Sequence, residues 1–213
     1  CEKFLSPSYF LFSRMEIAII KYNAGNIMSV DFALQRLGIK AKITGDPEEI
    51  RKADKVIFPG VGEASTTMAY LRAHKLDRLI VDLKQPVLGI CLGLQLMCTH
   101  SEEGDTPCLG IFHETVKRFV PEPGQETLYK VPHMGWNSIK QLKSNLFNSA
   151  IEDQYFYFVH SYYAAIGENT GAVCDYILPF SAALQKDNFY ATQFHPEKSG
   201  KVGAMVLENF INL

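Results

Sequence analysis

The most informative stretch of the sequence surrounds a single cysteine. Cys91 lies between Gly89 and Gly93 in the segment PVLGICLGLQLM, after an apolar run typical of a buried strand and before an apolar pattern with helical spacing. A nucleophile at a tight strand-to-helix turn must hold its side chain up into solvent, and glycine two residues away on each side prevents collisions there. A helix that begins at Leu92 also favours a thiolate through its free N–H groups and its dipole. The spacing therefore predicts a nucleophile elbow with sulfur in place of oxygen.

A candidate base and a group to orient it follow about a hundred positions later. In the segment FYATQFHPEKSG, His195 closes a predicted strand, and Pro196 and Glu197 follow it. Imidazole exchanges protons near neutral pH, and a carboxylate on its far ring nitrogen fixes the tautomer and stabilises the imidazolium. The sequence thus predicts a nucleophile, a base and an orienting acid in Cys91, His195 and Glu197. The alternatives are a small buried cysteine near a helix start and a surface histidine at a strand end.

Length, composition and charge restrict the class of protein that can hold these residues. The chain has 213 residues, 47% of them hydrophobic, and a net charge of -2 with both signs spread along it. These values predict one well-buried domain and neither a nucleic-acid binder nor a membrane protein. The five cysteines form an odd set without a C-x-x-C pair, which argues against a disulfide framework and a zinc site and favours the reducing cytoplasm.

The beginning of the chain is expected to lie outside the fold. Residues 1–14 contain an apolar run, YFLF, that is too short for a signal peptide and lacks a small-residue cleavage site. We expect residues 1–14 to be a leader, either an artificial extension or a mis-assigned start. Residues 15–213 are then expected to form the domain.

Strands and helices alternate in the first half of the domain. MEIAIIKY, IKAKIT, KVIFPG and PVLGI are predicted strands, and helical patterns follow at 27–37, after Asp46 and over 64–84. Gly38 suits the C-terminus of the first helix, and Asp46, Pro47 and Glu49 predict an N-cap with a capping box. Such alternation predicts a mainly parallel sheet covered on both faces.

The second half of the chain is predicted to be rich in β-strands. Six strand-like runs are separated by turn residues: ETVKRFV, LYKVPH, YFYFVHSYYAA, AVCDYIL, SAALQKD and FYATQFH. A final helix is predicted over 201–212, with Val202, Met205, Val206 and Phe210 on one stripe. The predicted fold class is therefore α/β: an open mixed, mainly parallel sheet with helices on both faces and a β-rich antiparallel extension.

Four motifs in this order carry a resemblance to a known family. FPGVG, GICLGLQLM, FVHSYY and HPE resemble the triad-type, class I glutamine amidotransferases, and the likeness extends from Met15 to Leu213. The resemblance implies hydrolysis of the side-chain amide of glutamine through a thioester on Cys91, with His195 as base and Glu197 as its support. It implies no cofactor and no metal.

The same resemblance assigns further roles. The backbone N–H of Leu92, placed by the elbow, and that of Val61, in a glycine-rich turn whose peptide could rotate, would form the oxyanion hole. The groups that hold the glutamine substrate, several of them through backbone atoms, would be Gly60, Gln95, His160, Ser161 and Tyr162.

The segments YNAGN, PGVG and HMGWN narrow the resemblance within the family. They are most similar to glutaminase subunits of histidine biosynthesis, which pass ammonia to a separate barrel-shaped cyclase subunit. Asn23, Asn26, Met134 and Trp136 would then face the partner. HMGWN is expected to be a polar, glycine-containing turn in which Trp136 suits an interface anchor, with a core position as the alternative for Trp136.

Other functions remain compatible with the sequence at this point. A paralogous glutaminase that supplies ammonia for an amidino sugar of surface polysaccharide would share every motif. An inactive α/β scaffold, a cysteine hydrolase or a redox sensor is a third possibility, from a different class. The intact H-P-E segment and Gln95 argue against that third class, because a sensor needs no glutamine pocket.

Overall fold

The computed structural model describes residues 15–22 and 27–213. The predicted leader, residues 1–14, and the predicted partner-facing residues Asn23 and Asn26 lie outside the described residues. In the described part of the chain, no helix has the length and apolar character needed to cross a bilayer.

Seven strands of the described chain form the central sheet, in the order β11-β12-β13-β4-β3-β1-β2. The parallel strands are β1 (Ile17–Ile20), β2 (Ala41–Thr44), β3 (Lys55–Gly60), β4 (Val87–Cys91) and β13 (Phe189–Thr192). The antiparallel strands β11 (Thr170–Tyr176) and β12 (Leu178–Lys186) extend the sheet beyond β13. The predicted fold class, a mainly parallel sheet with an antiparallel extension, is confirmed.

Helices cover both faces of this sheet. They are α1 (Ile27–Arg36), α2 (Pro47–Lys52), α3 (Ala64–Ala73), α4 (Leu76–Asp82), α5 (Leu92–Met97) and α6 (Gly200–Ile211). Alternate residues of a strand point to opposite faces, so Ile19 packs in the core under α1 and α6, whereas Ile20 packs in the core under the other helices. Burial on both faces explains why the parallel strands are almost continuously apolar.

Helix ends agree with most of the local predictions. Gly38, with φ 78°, follows α1, and the Asp46 carboxylate accepts hydrogen bonds from the backbone N–H groups of Glu48 and Glu49. The predicted capping box is wrong, because the Glu49 carboxylate accepts from Lys42 and Thr44 of β2 instead. The predicted helical region 64–84 is two helices, separated at Lys75, which has φ 57°.

Two smaller sheets stand beside the central one. One has the order β10-β7-β5-β6 and comprises β5 (His100–Ser101), β6 (Thr106–Pro107), β7 (Thr115–Arg118) and β10 (Tyr162–Ala164). The other pairs β8 (His133–Ser138) with β9 (Tyr155–His160) in antiparallel fashion. The predicted strand LYKVPH is wrong, since the chain becomes a strand only at His133. HMGWN, expected to be a polar turn, is strand β8 because it pairs along the apolar strand β9.

Candidate active site

The predicted site residues meet at the carboxyl edge of the parallel strands. Gly60 at the end of β3 is paired with Cys91 at the end of β4, and β13 ends on the other side of β4. Ligands in open α/β sheets collect at this edge. A cavity of about 330 Å³ opens here, within the usual range for small-molecule sites. It is lined by Val61, Gly62, Cys91, Leu92, Gln95, Glu103, Pro132, Val159, His160, Ser161, Tyr162 and His195.

Cys91 sits in a strained backbone conformation between β4 and α5. Its φ of 54° and ψ of -108° lie outside the regions that L-residues prefer, a strain that costs about 1–3 kcal/mol. The flanking glycines allow α5 to begin against the sheet, because a Cβ on Gly93 would overlap the Phe58 carbonyl oxygen and one on Gly89 would lie 3.1 Å from Gly93 C. Cys91 is buried and belongs to a core cluster near a helix start, as the alternative interpretation expects, but it also lines the cavity in a strained conformation, which packing alone does not require.

His195 and Glu197 form a buried pair beside the cysteine. A 3-10 turn, Pro196–Lys198, folds Glu197 back so that its Oε1 lies 2.8 Å from His195 Nδ1. The other ring nitrogen, Nε2, is buried, and the ring interacts with the neighbouring sulfur of Cys91. The backbone holds the ring in place, because His195 N donates to the Tyr157 carbonyl at 2.9 Å and Ser199 Oγ donates to the His195 carbonyl at 2.7 Å. The exposed histidine of the alternative interpretation is not observed.

The electrostatics of the pair favour a charged imidazole. Burial alone would lower the pKa of His195, but the neighbouring Cys91 sulfur and the Glu197 carboxylate outweigh it and raise this pKa to about 10. The imidazole ring therefore carries a proton at neutral pH. An imidazolium beside a sulfur atom is the arrangement of an activated cysteine nucleophile.

Gln95 connects α5 to the segment after β9. Its Nε2 donates to the Tyr162 carbonyl at 2.8 Å and to Gln193 Oε1 at 3.0 Å. His160 Nδ1 also lies 2.7 Å from the Tyr162 carbonyl, which can accept two hydrogen bonds. The turn at Ser161 is thus fixed against the cavity through the backbone of Tyr162.

A second buried histidine completes this arrangement. Because His160 Nδ1 donates to a carbonyl, its Nε2 is the acceptor for His133 Nδ1 at 3.1 Å. Burial lowers the pKa of His133 to about 4 and, together with nearby His133 and His195, lowers that of His160 to about 3. Both rings are neutral at pH 7 and serve as hydrogen-bonding supports.

The predicted oxyanion turn is held at both ends. Tyr22 Oη donates to the Pro59 carbonyl at 2.5 Å before the turn, and Ala64 N donates to Glu103 Oε2 at 2.8 Å after it. Gly62 has φ 131°, a conformation that favours glycine. Gly60, predicted to hold the substrate, is not among the residues that line the cavity, and a Cβ on it would meet the backbone of α5.

The predicted partner-facing residues in the described chain are on the surface. Met134 is 68% exposed and Trp136 is 56% exposed, both on β8. The alternative position of Trp136 in the core is wrong.

Sequence reasoning missed several residues of the site. Gln193, Glu103 and Val159 contact the cysteine or line the cavity without having been predicted. For Gln193 a signal existed, because it precedes His195 by two positions and residues so spaced in an extended segment share a side. Glu103 belongs to a loop, and its place in the cavity depends on tertiary packing alone.

A family model and individual relatives of known function indicate the same protein family. A family model described as "Glutamine amidotransferase class-I" matches residues 19–213. "Imidazole glycerol phosphate synthase subunit HisH" of Bacteroides fragilis (strain YCH46) is 62% identical over 199 residues, which are 93% of this chain and 100% of that protein. The protein of the same name from Haemophilus influenzae (strain Rd) is 45% identical, with 92% of this chain and 97% of that protein covered.

Solved structures show the same fold at much lower identity. A putative GMP synthase protein from Thermoplasma acidophilum superposes with a TM-score of 0.69 at 21% identity, covering 93% of this chain and 92% of that chain. A structure described as a glutamine amidotransferase gives a TM-score of 0.67 at 18% identity, covering 92% of this chain and 97% of that one.

Proposed function

This chain belongs to the class I glutamine amidotransferase family, and we propose that it is the glutaminase subunit of an imidazole glycerol phosphate synthase. In this role it hydrolyses glutamine to glutamate and ammonia, and the ammonia passes to a barrel-shaped cyclase subunit in histidine biosynthesis. The observation that carries the proposal is the buried His195–Glu197 pair beside the strained Cys91, at the edge of an amino-acid-sized cavity.

The first half of the reaction uses the sulfur and the imidazolium together. The Cys91 thiolate attacks the carboxamide carbon of glutamine and forms a tetrahedral intermediate with a negative oxygen. His195 donates the proton on Nε2 to the nitrogen, the C–N bond breaks, and ammonia leaves behind a γ-glutamyl thioester. Glu197 stabilises the imidazolium through Nδ1 and fixes the tautomer.

The second half restores the starting state. His195, now neutral, takes a proton from a water molecule, whose oxygen attacks the thioester carbon. The C–S bond then breaks to give glutamate and the thiolate, again beside an imidazolium. The new γ-carboxyl group releases the remaining proton of that water molecule to solvent, and the imidazolium stays protonated at neutral pH because the pKa of His195 is raised to about 10.

The oxyanion hole is part of the same proposal. The Leu92 N–H is one donor, since α5 begins there, and the Val61 N–H is the other when its peptide faces the cavity. The Val61–Gly62 peptide lies between the anchors at Pro59 and Ala64, and the proposal is that this peptide can rotate while both anchors hold. We propose that docking of the cyclase subunit with its ligand turns this peptide inward, so that glutamine is hydrolysed when ammonia can be used.

Glutaminase kinetics test the proposal. Turnover should be measured for the chain alone, with the cyclase subunit, and with the cyclase subunit plus its substrate. Loss of one oxyanion donor costs about 10²–10³ in turnover, so the free chain should be slower by at least that order. Equal turnover in all three states would refute the gating, and activity in Cys91→Ala would refute the nucleophile.

The acceptor pathway needs a separate measurement. Glutamine-dependent formation of imidazole glycerol phosphate by the reconstituted complex is expected. A glutaminase that forms no such complex would instead supply ammonia for another acceptor, such as an amidino sugar. A cytoplasmic location is also proposed, and it is supported by the free state of every cysteine in the described residues.

A further inference from the structure

Gln193 is a buried polar residue to which the mechanism above gives no role. It follows β13 directly, its exposed fraction is 0%, and it lies between two residues of the site. Its Oε1 accepts from Gln95 Nε2 at 3.0 Å, and its Nε2 donates to Cys91 Sγ at 3.6 Å. A neutral amide is thus in direct contact with the reacting sulfur.

The direction of these hydrogen bonds follows from one fixed acceptor. The Tyr162 carbonyl can only accept, so the group of Gln95 that faces it must be the NH₂. That same NH₂ faces Gln193, which must therefore present its oxygen to Gln95. The remaining NH₂ of Gln193 is then directed at the sulfur of Cys91, and flipping either amide would place two donors or two acceptors together.

We infer that Gln193 stabilises the thiolate of Cys91 and links it to Gln95 and the Tyr162 backbone. A hydrogen bond to an ionised acceptor is about twice as strong as one to a neutral acceptor, so the amide N–H favours the thiolate over the thiol and over the thioester. The thiol has a different partner, since its S–H would donate to the Val159 carbonyl, 3.9 Å from Sγ. The inference rests on Cys91 being the nucleophile of the proposed glutaminase.

Several ionisable groups surround the Cys91 sulfur, and none of them belongs to Gln193. Tyr22 approaches from the end of β1, and His195, with Glu197 behind it, approaches from the segment after β13. Glu103 and His160 line the same cavity. A Gln193→Met variant changes none of these groups and adds no charge, so a change in thiolate formation would report the lost amide donor.

The test follows alkylation of Cys91 against pH in the full chain. Iodoacetamide reacts with the thiolate, and mass spectrometry of the Cys91 peptide separates its rate from those of the other cysteines. Loss of a hydrogen bond to a charged group corresponds to about 1–2 pH units. The midpoint of the curve of Cys91 alkylation rate against pH should therefore rise by that amount in Gln193→Met. Thr192→Val is the matched control, because it removes a buried hydroxyl that donates to Phe194 O at 3.1 Å, and its midpoint should stay at the wild-type value. An unchanged midpoint in folded Gln193→Met would overturn the inference.

A second measurement applies to the wild-type residue and needs no variant of Gln193. In protein labelled with ¹⁵N-glutamine, the chemical shift of one side-chain amide should change with pH, with the same midpoint as Cys91 alkylation. In Cys91→Ala this chemical shift should no longer depend on pH. The absence of any such resonance would overturn the inference. Neither readout requires glutaminase activity, so an enzyme that fails to hydrolyse glutamine would refute the proposed function and leave this result standing.

Discussion

Replacing Gly60 with alanine should displace the nucleophile while the side chains of Cys91, His195 and Glu197 stay unchanged. A Cβ at this position would lie 2.6 Å from the backbone nitrogen of Gly93 and 2.7 Å from Leu92 Cβ. Ordinary contact begins at 3.4 Å, so the difference from 2.6 Å requires a displacement of 0.8 Å. Because the opposing atom at Gly93 is backbone, the displacement falls on the turn that carries Cys91 or on β3 beside it.

The expected effect on turnover follows from that distance. A misplacement of about 1 Å can cost about 10²-fold in rate, so Gly60→Ala should lower kcat by about 10- to 100-fold. Overpacking should also lower the free energy of unfolding by about 1–3 kcal/mol. The first effect is measured as turnover of the complex with the cyclase, and the second by denaturant unfolding of the chain.

Gly171→Ala is the matched control for this experiment. Its Cβ would lie 2.9 Å from Ser144 Cβ, on the edge strand β11, four strands away from β3. The control should lose stability and keep wild-type kcat. If Gly60→Ala also keeps wild-type kcat while losing stability, the close backbone contact does not determine the position of the nucleophile and the reasoning is refuted.

Three further predictions concern the sulfur, the base and the surface. Cys91→Ala should lose glutaminase activity and keep partner binding, whereas Cys108→Ala should keep both; residual turnover in the first variant or loss in the second would contradict this. The proton on His195 stabilises the fold fully below pH 6.5, its ordinary pKa, and this contribution disappears as the pH rises to about 10. The melting temperature should therefore fall more between pH 7 and 10 in the wild type than in His195→Gln, and an equal fall would refute the raised pKa. Trp136→Ala should weaken binding of the cyclase subunit by more than about 2 kcal/mol, as expected for an aromatic anchor that becomes buried in the complex. Ile166, another exposed apolar residue, is the control, and Ile166→Ala should bind as the wild type does. Equal titration isotherms for the wild type and Trp136→Ala would exclude Trp136 from the interface.

Local signals in the sequence predicted the parallel half of the fold well. The apolar strands, the Asp46 cap and the elbow at Cys91 each depend on residues within a few positions of one another. The mainly parallel sheet follows from the alternation of such elements. The H-P-E segment likewise predicted the pairing of His195 with Glu197, and the contact forms because the 3-10 turn at Pro196–Lys198 folds Glu197 back to the ring.

Predictions failed where distant residues decide the structure. HMGWN became a strand because β9 pairs with it, and Glu49 left the predicted capping box because Lys42 and Thr44 of the neighbouring strand offer hydrogen bonds. Glu103 lies on a loop and lines the cavity only through tertiary packing. Neither composition nor periodicity carries information about such pairings.

The glycine contacts around the elbow also bear on how this protein can change over evolutionary time. Where Gly93 meets the Phe58 carbonyl and Gly60 meets the backbone nitrogen of Gly93, main-chain atoms pack directly on main-chain atoms, with no rotamer that could readjust. The apolar side chains of both cores can therefore drift among residues of similar volume while the sulfur keeps its coordinates. Mutational tolerance in the surrounding core and fixed geometry at the nucleophile are compatible because different atoms are responsible for each.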